Sequence, residues 1–340
     1  MRKTVLVTGG AGYIGSHCVL KLLECGYKVI IFDNLSTGIV ETVNTLKKYN
    51  DVEFYKGDLL EYNDINSIMA KSSIYAVMHF AAFSQVGESI VNPQKYYINN
   101  VCGALNLFKS MLENNIKNIV FSSTASTYGE PMYVPIDEKH PQNPINPYGN
   151  SKLFIEKILN DYDKAYNLHS AQLRYFNVAG ADEKNRVGEN HNPETHLIPN
   201  LIKSAISGAK NFELYGNDYD TKDGTCVRDY ININDLVEAH ILALEYITQN
   251  NISIAVNLGT GGGNSVKEIL DLCKKITGRE ITVNVCQRRI GDPAVLIADN
   301  AMAYKLLHWN IKKNIKDSVE SVYNWELSKQ SNSNNNFKNI

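Results

Sequence analysis

Tyr148 and Lys152 stand four residues apart at the start of a segment with helical spacing, so about one turn separates them on one face. A free tyrosine has a pKa near 10, which leaves roughly one phenolate in a thousand at pH 7. To act as a general base it needs that value lowered by about three units, on the order of 4 kcal/mol. A lysine ammonium and the positive ring of an oxidised nicotinamide cofactor can supply this together. Tyr and Lys at this spacing also decorate ordinary helices, so position carries the argument. The pair follows a Pro-rich loop, residues 131–147, downstream of a strand ending in Ser122, Ser123 and Thr124. A hydroxyl there can hydrogen-bond a substrate oxygen and relay its proton to Tyr148. Thr124 can equally be a cap.

An oxidised cofactor needs a phosphate-binding turn, and residues 5–16 supply one. An apolar, β-branched run ends in glycines, and amphipathic spacing follows through Leu20, Leu22 and Leu23 to Gly26. Of the glycines, Gly9 allows the bend, Gly12 lets backbone approach a pyrophosphate, and Gly15 lets helix pack on strand. The helix N-terminus then offers free N–H groups and its positive dipole end. A second apolar strand, residues 29–32, ends in Asp33, at the spacing where a carboxylate grips an adenosine ribose. Asp33 repels a 2′-phosphate and no Arg follows it, so NAD is favoured over NADP.

The elements that must position these residues alternate strand and helix. Strands are expected near residues 52–55, 76–82, 118–123 and 169–174, with helices over residues 99–113 and from Tyr148. Val101, Leu105, Phe108 and Leu112 form the expected inner stripe of the first helix, and Leu153, Ile155, Ile158 and Leu159 that of the second. Such alternation implies an α/β fold: a Rossmann-type, doubly wound parallel sheet with right-handed crossovers. Its ligands sit beyond the carboxyl ends of the strands, where residues 9–15, Asp33, Asp58, Ala81 and Ser123 all fall. After residue 180 the pattern loosens into shorter strands, at 212–215 and 226–231, mixed with helices. Residues 1–180 are therefore expected to form the nucleotide-binding domain, with a returning segment near 230–265. Residues 181–327 are expected to form a smaller, interleaved C-terminal α/β lobe, and residues 328–340, rich in Asn and Ser, a frayed tail. Residues 265–268 read as a capping box opening a helix, and glycines 261–263 as a strand–helix turn.

Composition bounds the partners. The chain has 340 residues, 44% apolar and 21% charged, with a net charge of −2. Nothing in that balance argues for nucleic acid or an anionic membrane. No apolar run is long enough to span a bilayer, and the N-terminus reads as a core strand rather than a signal peptide. Six scattered cysteines without a CxxC pair suit a reduced, cytoplasmic protein. The histidines lack metal-binding motifs; His191 and His196, five apart around a proline, do not share a helix face, so no metal is expected.

These residues carry a resemblance. The glycine turn, the Tyr148–Lys152 pair and the upstream hydroxyl resemble the extended short-chain dehydrogenase/reductases. More narrowly, the chain is similar to the UDP-galactose 4-epimerases, also called UDP-glucose 4-epimerases. The similarity lies in residues 8–16, 33–35, 79–89 (HFAAFSQVGES), 121–129, 173–180 (LRYFNVAG), 215–219 (YGNDY), 224–231 (GTCVRDYI) and 288–292 (RRIGD). It implies that Gly9, Gly12, Tyr13, Ile14, Gly15, Asp33, Asn34, Asp58, Leu59, Phe80, Ala81, Ala82, Asn99, Lys152 and Phe176 contact NAD, with Thr124 and Tyr148 beside it. Tyr148 is then the base, assisted by Thr124 and Lys152. Asn177, Arg228, Arg289 and Asp292 hold a UDP group, and Leu197 and Tyr215 line its pocket. Paired arginines suit a diphosphate physically, through bidentate hydrogen bonds.

The implied reaction is reversible epimerisation at C4 of a UDP-hexose in galactose metabolism, through a 4-keto sugar and with tightly bound NAD, by a homodimer. Ser84 departs from the Lys of many members, and Thr124 from their Ser. At Leu296, which the resemblance makes a limit on sugar size, a side chain smaller than Tyr predicts some tolerance of N-acetylated sugars. A nucleotide-sugar 4,6-dehydratase shares the fold and the pair, but needs Asp-Glu after Thr124, where Ala125 and Ser126 stand. A non-catalytic NAD-binding regulator should lack the base or its lysine, and both are present.

Overall fold

In the computed structural model of the chain, the described residues are 2–49, 51–208, 211–289 and 292–336, the last five by backbone alone. Strands β1 (Thr4–Thr8), β2 (Lys28–Asp33), β3 (Val52–Lys56), β4 (Ile74–His79), β5 (Asn118–Thr124) and β6 (His169–Tyr175) come first. Between them lie α1 (Tyr13–Glu24), α2 (Val40–Leu46), α3 (Tyr62–Lys71), α4 (Val86–Val91), α5 (Pro93–Tyr96), α6 (Gly103–Glu113) and α7 (Pro147–Tyr166). The later strands are β7 (Asn177–Ala179), β8 (Phe212–Tyr215), β9 (Val227–Arg228), β10 (Tyr230–Asn232), β11 (Ile254–Leu258), β12 (Asn264–Ser265), β13 (Val283–Cys286) and β14 (Val295–Leu296). The later helices are α8 (Leu197–Ser207), α9 (Ile233–Asn250), α10 (Val266–Thr277), α11 (Ala301–Leu307) and α12 (Ile315–Asn336).

The main sheet runs β11-β6-β5-β4-β1-β2-β3, and every pairing in it is parallel. Strand order reverses between β1 and β4, which opens a crevice at their carboxyl ends. The strands read as unbroken apolar runs because helices cover both faces: Val5, Leu6, Val7, Val77, Met78 and Phe121 are fully buried. One core packs α1 and α9 on the sheet, and the other packs α3, α6 and α7 on the opposite face.

Later segments build small sheets beside this one. β10 pairs with β7, β13 with β8, and β9 lies between β12 and β14. The stretch 226–231, expected as one strand, is thus divided between two sheets. The break lies at Asp229, whose buried carboxylate accepts from Thr260, Gly261 and Ala298 backbone N–H groups. Ser265 and Glu268 make both bonds of the expected capping box on α10.

Two expectations fail. The inner stripe drawn through Val101, Leu105, Phe108 and Leu112 is rotated: Leu105 is exposed, while Ala104, Leu107, Phe108 and Met111 are buried. A π-helical stretch, Tyr97–Cys102, precedes α6; its buried residue is Asn100 rather than Val101, and Asn100 continues the stripe of Ala104, Leu107 and Met111. The Asn/Ser-rich stretch expected to fray from Ser328 instead continues α12 through Asn336; residues 337–340 lie outside the described residues.

Candidate active site

The crevice at the switch point is the floor of a cleft of about 1240 Å³. Every residue expected to contact the cofactor or the substrate lines it, whereas Ser123, expected on the same edge, is buried behind it and donates to Glu156. Ile290 and Gly291, inside one matching stretch, lie outside the described residues.

The cofactor end is made of backbone. Gly9 takes φ +74°, and a Cβ there would lie 2.5 Å from the Ala81 nitrogen, so the turn presses against the end of β4. A Cβ on Gly15 would lie 2.2 Å from the Gly9 carbonyl oxygen, which is the close helix packing expected of the third glycine. Gly12 differs: its nearest neighbour would be the Gly9 oxygen at 3.3 Å, and the rest is open. Gly12 caps α1 without a side-chain bond, and no acid stands in the first turn. Free N–H groups and a positive dipole end therefore remain for an anion. This cradle fits a dinucleotide pyrophosphate.

Asp33 ends β2 and accepts from the Ala11 N–H at 3.0 Å and the Leu35 N–H at 2.8 Å. Burial nevertheless holds its carboxyl above the usual carboxylate range. Asn34 donates to Asp58 at 2.9 Å, which joins the ends of β2 and β3 along the wall. Phe80, Ala81 and Ala82 follow β4, and Leu59 and Asn99 close the side above them.

Tyr148 sits in the first turn of α7 and Lys152 one turn further along it. Asn146 caps that helix by accepting from the Gly149 N–H at 2.8 Å, and Pro147 takes the first helical position. One turn beyond Lys152, Glu156 is buried and grips Arg174 of β6 in a fork, at 3.0 Å to Nε and 2.7 Å to Nη2. Arg174 also donates to the Tyr128 hydroxyl at 3.0 Å, which donates to Asn257 at 2.6 Å. These ties fix α7 against β5, β6 and β11, so the pair cannot slide relative to Thr124. Lys152 donates to the Ser122 carbonyl at 2.8 Å.

Thr124 hydrogen-bonds Tyr148 and also accepts from the Ser126 N–H at 3.2 Å, so it acts as both partner and cap. Tyr148 keeps part of its surface open to the cleft, but crowding around its hydroxyl pushes the phenol up to about 12, against the smaller pull of Thr124. Burial likewise draws Lys152 down to about 7, with Glu156 opposing. The chain's own groups therefore favour the neutral forms of both. The lowering that a base requires must accompany loading of the cleft.

The far end is made of side chains. Arg228, buried in β9, pairs with Asp292 and donates to the Val227 carbonyl at 2.8 Å. Arg289 lies 4.1 Å over the Tyr215 ring. Asn177 starts β7, Phe176 precedes it, and Leu197 opens α8. Leu296 lies beside Arg228 in the β14–β9 pairing. Ser84, where a lysine was noted as missing, also lines the cleft; the nearby Lys95 is engaged with Glu88 at 2.6 Å.

Sequence reasoning missed several residues. The Glu156–Arg174–Tyr128–Asn257 network left no local signal, because its members come from four segments. Asn146 was legible, since Asn before Pro marks a helix start. His191 and His196 share no helix face, as their spacing implies, but the loop that carries them brings their ring centroids to 5.3 Å, which spacing does not reveal. No described helix is long and apolar enough to cross a membrane, and all six cysteines are unpaired.

The chain is similar to known proteins over nearly its whole length. Residues 6–322 match the family model described as GDP-mannose 4,6 dehydratase. The UDP-glucose 4-epimerase of Lactobacillus helveticus is 49% identical over 95% of this chain and 97% of its own. That of Halalkalibacterium halodurans is 48% identical over 94% and 95%. The solved UDP-glucose 4-epimerase of Bifidobacterium longum, in complex with NAD+ and UDP, is 39% identical, with a TM-score of 0.92 over 96% of this chain and 99% of that one. Between dehydratase and epimerase, Ala125 and Ser126 after Thr124 side with the epimerases. The chain belongs to the UDP-glucose 4-epimerases among the extended short-chain dehydrogenase/reductases.

Proposed function

We propose that the protein interconverts UDP-galactose and UDP-glucose by epimerisation at C4, with NAD held throughout the cycle. The observation that carries this is one continuous cleft with a backbone-built dinucleotide cradle at one end and paired arginines at the other. Tyr148 and Thr124 lie on its wall, which supports their reading as base and hydroxyl partner.

The glycine turn, Asp33 and Asn34 hold NAD, which supplies the acceptor and donor of hydride at C4. Arg228 and Arg289 hold the diphosphate, with Asn177 and Asp292 beside them, while Leu197 and Tyr215 line the pocket. Tyr148 removes the proton of the sugar 4-hydroxyl through Thr124 and returns it to the product. Between these steps the flat 4-keto sugar turns over on its UDP handle, so the uridine end is held firmly and the sugar loosely. Leu296 on the wall leaves room for an N-acetyl group, and equal failure with both UDP-N-acetylhexosamines would count against that extension.

The chain works as a cytoplasmic homodimer. Ile98, Leu105, Phe154 and Tyr166 are exposed apolar residues on the stretch 97–113 and on α7, a surface suited to pairing such helices. A monomeric mass in light scattering would contradict that pairing.

The test is to purify the protein without adding cofactor, denature a portion, assay the released NAD, and supply UDP-galactose to the remainder. NAD release with UDP-glucose formation is expected. Conversion that appears only on adding NAD would contradict the lasting clamp.

A further inference from the structure

Glu189, His191, Glu194 and His196, which the sugar chemistry does not use, each bring one ligand atom into a group spanning no more than 4.8 Å. His191 Nδ1 lies 3.0 Å from Glu189 Oε1 and 3.9 Å from Glu194 Oε1, and His196 Nδ1 lies 3.6 Å from Glu194 Oε1. His196 also contacts Glu189 Oε1. A tetrahedron built on bonds of about 2.0–2.2 Å has edges of roughly 3.3–3.6 Å, so small side-chain adjustments suffice. A second observation points to a ligand. The Glu189 side chain is only 2% exposed, and its Oε2 finds no partner among the described residues. One oxygen of a buried carboxylate thus serves two imidazoles while the other serves nothing, a costly arrangement that a cation relieves.

We propose that Glu189, His191, Glu194 and His196 bind one divalent transition-metal ion of the zinc class. Two imidazoles with two carboxylates suit zinc better than magnesium, which prefers oxygen alone. Four protein ligands make a closed site, and closed sites hold structure rather than perform chemistry. The surroundings are those of a positioned site. Trp325 of α12 donates to the Glu189 carbonyl at 3.1 Å, and Lys203 of α8 reaches Glu194 Oε2 at 3.2 Å. His191 meets the Tyr13 ring edge to face at 6.4 Å, beside the glycine turn. The ion closes the loop ahead of Leu197 on itself, with His191 packed against Tyr13 beside the glycine turn.

The test uses the full-length chain, stripped with EDTA and titrated with Co2+ while its visible absorption is followed. Expected are d–d bands that saturate at a single equivalent, vanish on adding Zn2+ and persist with Mg2+. His191→Ala and His196→Ala, each checked for native circular dichroism, should weaken Co2+ binding by roughly 100-fold or more, beyond what second-shell losses cause. Absence of stoichiometric bands in the unsubstituted protein would overturn the proposal and leave an ion-pair cluster only. Unchanged affinity in both histidine variants would overturn it as well.

Discussion

The two ends of the cleft are built from different materials. At the proposed cofactor end, glycines, helix N–H groups and strand ends form the wall, and the closest approaches are backbone to backbone. At the substrate end, Arg228, Arg289, Tyr215 and Asp292 reach in from separate short strands and loops, tied to one another by charge and ring contacts. A backbone cradle costs little entropy on binding because it is fixed in the fold, whereas long side chains must be ordered. The difference suits a cofactor that stays and a nucleotide sugar that comes and goes. Tyr148 stands between the two.

The first way to break this comparison is at the middle. Tyr148→Phe should lower kcat by roughly 10²–10⁴-fold, the usual worth of a general base, while NAD stays bound. A variant that lost its cofactor would show that the tyrosine belongs to the clamp instead.

The next largest effect separates the glycines. Gly15→Ala forces a methyl to 2.2 Å from a carbonyl oxygen and should destabilise the fold by about 1–3 kcal/mol in urea unfolding. Gly12→Ala meets its nearest atom at 3.3 Å and should keep its midpoint while retaining less NAD. Equal loss of stability in both would mean that the turn serves packing alone.

Smaller effects follow at the substrate end. Arg289→Ala should raise KM for UDP-galactose roughly 10-fold or more with kcat nearly kept, as expected for one charge-assisted hydrogen-bond partner. Arg228→Ala should do the same and also lower stability, because it leaves Asp292 without its ion partner.

The last effect is a slope. Burial lowers His79 to about 3 and His240 to about 4, so between those values and 6.5 the unfolded chain binds more protons than the folded one. Their contribution is complete above 6.5 and is lost as pH falls toward 3–4. Lys152, drawn down to about 7, has the same sign over a higher window: stability grows from about pH 7 to its ordinary 10.5. Lys152→Met should flatten that alkaline arm and keep most of the acid arm, since burial is the larger cause at His79 and the Lys152 charge the smaller, as read by urea unfolding at a series of pH values.

The cofactor end was legible in the sequence because its determinants are local. The strand, the glycines and the capped helix lie within residues 4–24, and Asp33 follows at the end of the next strand. Tyr148 and Lys152 were legible for the same reason. The substrate end came only through resemblance, since nothing local in Arg228 or Arg289 distinguishes it from a surface charge. What escaped was set by tertiary context. The sheet core chose the stripe of Ala104, Leu107 and Met111 on α6, Asp229 divided a strand, and the Glu156–Arg174 fork joined segments far apart in the chain. The His191–His196 pairing escaped because a loop has no period to read.

The central claim is that hydride leaves C4 and returns to it within one closed cycle. It is tested most directly by converting UDP-galactose deuterated at C4 in ordinary water and analysing the UDP-glucose formed. Deuterium retained at C4 is the result this account predicts; its loss to solvent would contradict it.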